Sequence, residues 1–110
     1  VSQVIKILPA LQFTQGAYIS VFAGRIADTG VNPVPTMRHV MMLLQETLIK
    51  LIWASPREVY NVYQANAMDC DIITCSEDLI KKLPLRGKDL EEFSKETVQM
   101  FYKDGEGYVI

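Results

Sequence analysis

Ala17-Tyr18-Ile19-Ser20-Val21-Phe22-Ala23-Gly24-Arg25-Ile26-Ala27-Asp28-Thr29-Gly30 is the stretch on which the reading of this chain turns. A short apolar run from Tyr18 to Phe22, β-branched in part, predicts a buried strand. It passes directly into a Gly-Arg turn with small and hydroxyl residues interleaved. The turn sets one guanidinium, Arg25, just beyond the carboxyl end of the strand. In α/β proteins ligands bind at that end.

Outward from this stretch, helix and strand signals alternate. Before it, Val4, Ile5, Leu8 and Leu11 stand at helical spacing over residues 2–12, with Pro9 inside the run. The helix there is therefore short, kinked, or begins near the proline. After it, Asn32-Pro33 supplies an N-cap and a proline for the first helical position. Val34, Met37, Met41, Leu44 and Leu48 then form one apolar stripe. Ile49 to Ala54 predicts a second strand, apolar apart from Lys50. Ser55-Pro56-Arg57-Glu58 reads as an N-cap, a first-turn proline and a capping box. The helix it opens carries Val59, Val62, Tyr63 and Ala67 on one side. Cys70 to Cys75 predicts a third strand, and Ser76-Glu77-Asp78 starts a short helix to Lys82. After a break at Pro84 to Gly87, a last helix runs from about Lys88 to Lys103, with Leu90, Phe93, Thr97, Met100 and Phe101 inward. Gly105 and Gly107 end it.

Strands apolar on both faces and separated by amphipathic helices imply a parallel sheet covered by helices. Three strands do not complete one. At 110 residues, with 49% hydrophobic residues, there is material for a core but only for one small domain or part of a larger one. The first residue, Val1, fits a truncated or processed chain. Net charge is −2, with Lys and Arg scattered, so neither a nucleic-acid surface nor a membrane-attracting face is expected. No apolar run approaches the ~20 residues that cross a bilayer. Val1 to Leu11 has neither a basic lead nor a small-residue cleavage site. Cys70 and Cys75 read as two reduced thiols, which suits a cytoplasmic setting.

Side chains alternate across a strand, so Tyr18, Ser20 and Phe22 share one face. Leu51, Trp53 and Ser55 are expected to share the corresponding face of the next strand. A hydroxyl and an aromatic near the carboxyl end suit a barrel interior that turns polar at its rim better than a surface packed under helices.

Ser20-Val21-Phe22-Ala23-Gly24-Arg25-Ile26 resembles the Ser-Pro-Phe-Val-Gly-Arg-Ile segment of transaldolases, with Val21 in place of Pro. Ala54-Ser55-Pro56-Arg57 resembles their Ala-Ser-Phe-Arg segment, with Pro56 in place of Phe. Asp71 to Leu83 is similar to the stretch at their last strand. The three matches stand in order, one per β/α unit, and Ser20 to Pro35 resembles a bacterial subgroup of small transaldolases and fructose-6-phosphate aldolases. The resemblance implies an α/β fold: parallel β/α units forming the carboxyl-terminal portion, about three strands, of a TIM (β/α)8 barrel. Residues 1–110 would be a single partial domain, since a full barrel takes roughly 250 residues.

That family moves a dihydroxyacetone unit between sugar phosphates through a lysine Schiff base, in the pentose phosphate pathway. By resemblance, Arg25, Ser55 and Arg57 form its phosphate pocket, and Ser20 and Phe22 line its reaction chamber. General chemistry agrees. Guanidinium forks match phosphate oxygens, and a helix start favours an anion. Other roles stay open for each residue: Arg25 paired with Asp28, Ser55 as a helix cap alone, Arg57 as a solvated first-turn residue, Phe22 as core packing. Phe22 stands where related aldolases have a proton-transferring Tyr, which tilts the resemblance towards transaldolase.

The attacking lysine is not expected in this chain. Such a lysine needs an apolar chamber that lowers its pKa. Lys50, the single strand lysine, lies at the amino end of its strand, about 16 Å from Ser55 at ~3.3 Å per residue. His39 falls on a predicted helix away from either rim. Cys70 and Cys75 lack the neighbours of a metal site, and Glu91-Glu92 reads as a solvated helix face. No cofactor or metal is expected. The expected partners are a phosphorylated sugar and either the remainder of the barrel or a second copy. The alternative is a non-catalytic half-barrel that binds phosphate or sugar phosphate.

Overall fold

Parallel strands need a crossover between them, and helices supply it here. A computed structural model describes residues 1–11 and 16–105, with side chains as far as Met100. Strands β1 (Tyr18–Val21), β2 (Lys50–Trp53) and β3 (Ile72–Ile73) lie side by side in chain order. Helix α1 (Ser2–Leu11) precedes them; α2 (Ala23–Asp28) and α3 (Pro33–Leu43) connect β1 to β2; α4 (Val59–Ala67) connects β2 to β3. A short α5 (Glu77–Lys82), a 3-10 turn at Leu83–Leu85 and α6 (Leu90–Gly105) follow. The three parallel strands expected from the sequence are present, alternating with helices.

Register decides which face each residue takes. Ile19 is opposite Leu51, Ser20 opposite Ile52, and Val21 opposite Trp53. Ile52 and Trp53 stand opposite Ile72 and Ile73. Opposed residues in a parallel sheet point the same way, so Ile19, Val21, Leu51, Trp53 and Ile73 form one face. They pack against Met37, Val40 and Leu44 from the α3 side and Ala65 and Met68 from the α4 side. Tyr18, Ser20, Lys50, Ile52 and Ile72 form the other, which no described helix covers. The expectation that Leu51 and Trp53 lie with Ser20 and Phe22 is therefore corrected: Trp53 is 0% exposed, under the helices. Alternation within each strand was right, but the pairing of one strand's faces with the next depends on register.

Local signals explain most elements. Asn32 Oδ1 accepts the Val34 N–H at 3.0 Å, with Pro33 opening α3. Ser76 Oγ accepts the Leu79 N–H at 3.2 Å and starts α5. Pro9 sits inside a continuous α1, which buries only Val4; the expected end at residue 12 lies outside the described residues. Leu48 falls beyond α3 and is exposed. β3 is shorter than the predicted run because the Asp71 carboxylate, not a backbone carbonyl, accepts the Leu51 N–H at 2.8 Å. The ladder then begins only at Ile72.

Ser55 is not the cap of α4, and this too is corrected. The helix begins at Val59 with Glu58 as its N-cap. The buried Asn61 accepts the backbone N–H groups of Arg57 at 2.8 Å and Glu58 at 2.9 Å through Oδ1. Ser55 instead takes a left-handed conformation, φ 58°, in the turn before it.

The inward face expected for α6 is not formed. Leu90, Phe93 and Met100 are exposed, and Phe101 and Gly107 lie outside the described side chains. The helix-covered face of the sheet is already filled by α3 and α4, and no described residue of α6 joins that core. The radius of gyration, 18.5 Å, accordingly exceeds the ~13 Å of a globule this long.

Candidate functional site

The carboxyl ends of β1 and β2 meet in a tight backbone junction. Ala54 N–H bonds Val21 O at 2.9 Å, and Gly24 N–H bonds Ala54 O at 3.3 Å. Gly24 then lies against the Ser55 backbone so closely that an added Cβ would be 1.5 Å from the Ser55 carbonyl oxygen. Only glycine fits, and that close approach seats α2 directly on the β2–α4 loop. Gly30, φ 81°, ends α2 with bonds from Gly30 N–H to Ala27 O and Val31 N–H to Ile26 O. The helix between these two glycines was not anticipated; its six residues are too few to show periodicity.

From α2, Arg25 projects into a cleft of about 560 Å³ that is also lined by Ser20 and Phe22. Val4 and Ile7 of α1 and Val31 close its apolar side. Residues from both faces of β1 line the cleft, so it includes the edge of β1 away from β2. The Arg25 guanidinium stacks over the Phe22 ring, 4.8 Å from its centroid. Phe22 is 53% exposed and so is not core packing. Arg25 makes no ion pair among the described residues. Its donors are thus available to an anion, while the ring fixes its plane.

Arg57 is differently engaged. Its Nη2 donates to Asp28 Oδ2 at 2.8 Å and its Nε to Oδ1 at 3.3 Å, a two-pronged grip. The sequence offered Asp28 as a partner for Arg25; the structure gives it to Arg57. The hydrogen bond from Arg57 holds the Asp28 carboxyl below the usual carboxylate range, and the charges of Arg57 and Arg25 add in the same direction. Asp28 in turn pushes Arg57 upward. Both side chains are about half exposed, 48% and 52%. Neither Ser55 nor Arg57 lines the Arg25 cleft. Two backbone donors at the start of α4 already serve Asn61. Asn61 was missed by sequence reading, although an Asn three residues after Glu58, in the first turn of a helix, is a visible signal.

The remaining candidates fall away from the cleft. Lys50 is exposed on the open face, opposite Tyr18 at the amino end of β2. His39 is exposed on α3. Cys70 and Cys75 are free thiols. Burial pushes the Cys70 thiol up, and its Sγ lies 3.5 Å from the Leu51 and Ile72 carbonyls, so it is a poor nucleophile. Among the described residues no cluster of His, Cys, Asp and Glu could hold a metal ion. No described helix is long and apolar enough to cross a membrane.

The arrangement can hold a small anion at Arg25, with the Ser20 hydroxyl and the open sheet face beside it. A family model for transaldolase/fructose-6-phosphate aldolase matches residues 1–109. No curated protein matches the chain.

Proposed function

Given that the chain belongs to the transaldolase/fructose-6-phosphate aldolase family, we propose that it forms the carboxyl-terminal part of a cytoplasmic transaldolase-type enzyme. That enzyme transfers a dihydroxyacetone unit between sugar phosphates through a lysine Schiff base, and the lysine stands on a strand outside these 110 residues. This part supplies the phosphate pocket and a wall of the chamber. The observation that carries the reading is Arg25: a guanidinium at the carboxyl end of a parallel strand, stacked on Phe22, with no carboxylate partner among the described residues. Barrel enzymes bind phosphate at loops after their last strands. In this reading Ser20 reaches substrate hydroxyls and Phe22 shapes the chamber. Ser55 and Arg57 join Arg25 at the phosphate once Arg57 turns from Asp28. The uncovered face, Tyr18, Ser20, Ile52 and Ile72, is where the remaining barrel strands or a second copy close the chamber, because such a surface is costly to leave in water.

Calorimetric titration with fructose 6-phosphate tests the pocket: binding is expected for the wild type and its loss for Arg25→Ala. Borohydride reduction in the presence of the same sugar tests the placement of the chemistry. No covalent adduct is expected on these 110 residues, and a trapped lysine would overturn it. A second reading, a non-catalytic sugar-phosphate-binding half-barrel, is favoured by the exposed position of Lys50, the one lysine on the three strands. Joining this chain with the preceding barrel strands separates the two: turnover supports the enzyme, binding without turnover the module.

A further inference from the structure

On the strength of that phosphate reading, we infer that Asp28 sets the anion affinity of the site, by competing with the incoming phosphate for Arg57. Asp28 presents two carboxylate oxygens to the Nε and Nη2 of Arg57, the same fork that a phosphate would engage. The carboxylate is thus an internal stand-in for the ligand.

Three features make the pair an exchangeable one. It is half open to solvent on both sides, so an anion can reach it and water and salt screen it. The Arg57 backbone is pinned by its N–H to Asn61 Oδ1 at 2.8 Å, so the exchange needs only side-chain rotation. Arg25 and Asp28 stand three residues apart on α2 and therefore on one helical face, roughly 5–6 Å apart at Cβ. The Arg57 fork, held on Asp28, is therefore brought to the face of α2 that also carries Arg25.

Asp28 thereby opposes binding in two ways. It occupies the second guanidinium, and its negative charge faces the site. A dianionic phosphate overcomes both more readily than a monoanion, because its attraction to the two arginines is greater. Asp28 is in this sense a specificity-determining residue that does not itself touch the reacting atoms.

The experiment is calorimetric titration of the 110-residue chain with inorganic phosphate, near pH 8 where the dianion dominates. Wild type, Asp28→Asn, Arg57→Gln and the double variant are compared. Asp28→Asn is expected to bind phosphate about three- to tenfold more tightly than wild type, and the gain is expected to vanish in the Arg57→Gln background. Asp28→Ala provides a second test should the asparagine fail to fold. An unchanged or weakened affinity in Asp28→Asn, with wild type binding, overturns the inference and leaves the phosphate pocket standing. An equal gain with and without Arg57 overturns the competition. Absence of binding in every protein overturns both the pocket and the role of Asp28.

Discussion

Gly24 and Ser55 touch backbone to backbone, with the Gly24 Cα held where any Cβ would be 1.5 Å from the Ser55 carbonyl oxygen. Neighbouring strand ends are locked by this contact and by the Gly24 N–H to Ala54 O bond at 3.3 Å. Arg25, the next residue, takes its position from that lock. The colliding atom is backbone, so no side-chain rotation relieves the clash. Gly24→Ala is expected to cost about 3 kcal/mol of stability and to lower phosphate affinity through misplacement of Arg25. Urea unfolding followed by Trp53 fluorescence measures the first, and titration with phosphate the second. An alanine variant of wild-type stability would show that the junction is loose.

Trp53 is fully buried, and its Nε1–H has no hydrogen-bond acceptor among the described residues. An unsatisfied buried donor costs about 1–3 kcal/mol. Trp53→Phe removes that donor while giving up part of the ring volume, and the two effects oppose. The variant is expected to lie within about 1 kcal/mol of wild type, whereas Trp53→Ala is expected to lose about 3–5 kcal/mol. Urea midpoints read by circular dichroism decide it; equal losses in both variants would mean that Nε1 is satisfied.

The Asp28–Arg57 pair predicts a pH dependence with a defined sign. The folded-state pKa of Asp28 is lowered from 3.8, chiefly by the Arg57 hydrogen bond. The unfolded chain therefore takes up its proton first as the pH falls. The pair's contribution is complete above the unfolded value and is lost as the pH drops through the lower folded value. Both groups are exposed, so salt screens the effect. The melting temperatures of wild type and Asp28→Asn are expected to differ slightly near neutral pH and low salt. They should converge in acid, and converge again at about 1 M salt. A difference that grows in acid would refute the assignment.

Asp69 follows α4 in a left-handed conformation, φ 57°, with its N–H bonded to Asn66 O at 3.1 Å and the Cys70 N–H to Ala65 O at 3.0 Å. This geometry favours glycine. Asp69→Gly is expected to raise stability by about 0.5–1 kcal/mol, seen as a higher urea midpoint at unchanged slope. A lower midpoint would mean that the Asp69 side chain contributes more than its strained backbone costs.

Much of this was legible beforehand because its causes are local. Asn32 with Pro33, and Ser76, declare the helix starts at which the structure finds them. The alternation of Tyr18, Ser20 and Phe22 puts a hydroxyl and a ring on one side of a strand whatever that strand packs against. Ser55 misled because Ser-Pro is equally at home in a turn and at a cap, and the rival acceptor, Asn61, acts back from the third residue of the helix. The short α2 was hidden because its six residues carry no period; two glycines and a backbone contact define it.

The amino-acid order by itself determined the alternation of strand and helix, the parallel sheet, the family, and a guanidinium waiting at the end of β1. Each follows from residues close together in the chain. Tertiary structure alone decided that Trp53 faces the helices, that Asp28 belongs to Arg57, and that the described side chains of α6 stay out of the core. Those depend on strand register, and on which side chains meet across 29 residues of chain. Register sets facing, and facing sets which charges can touch. None of it is encoded within a single segment.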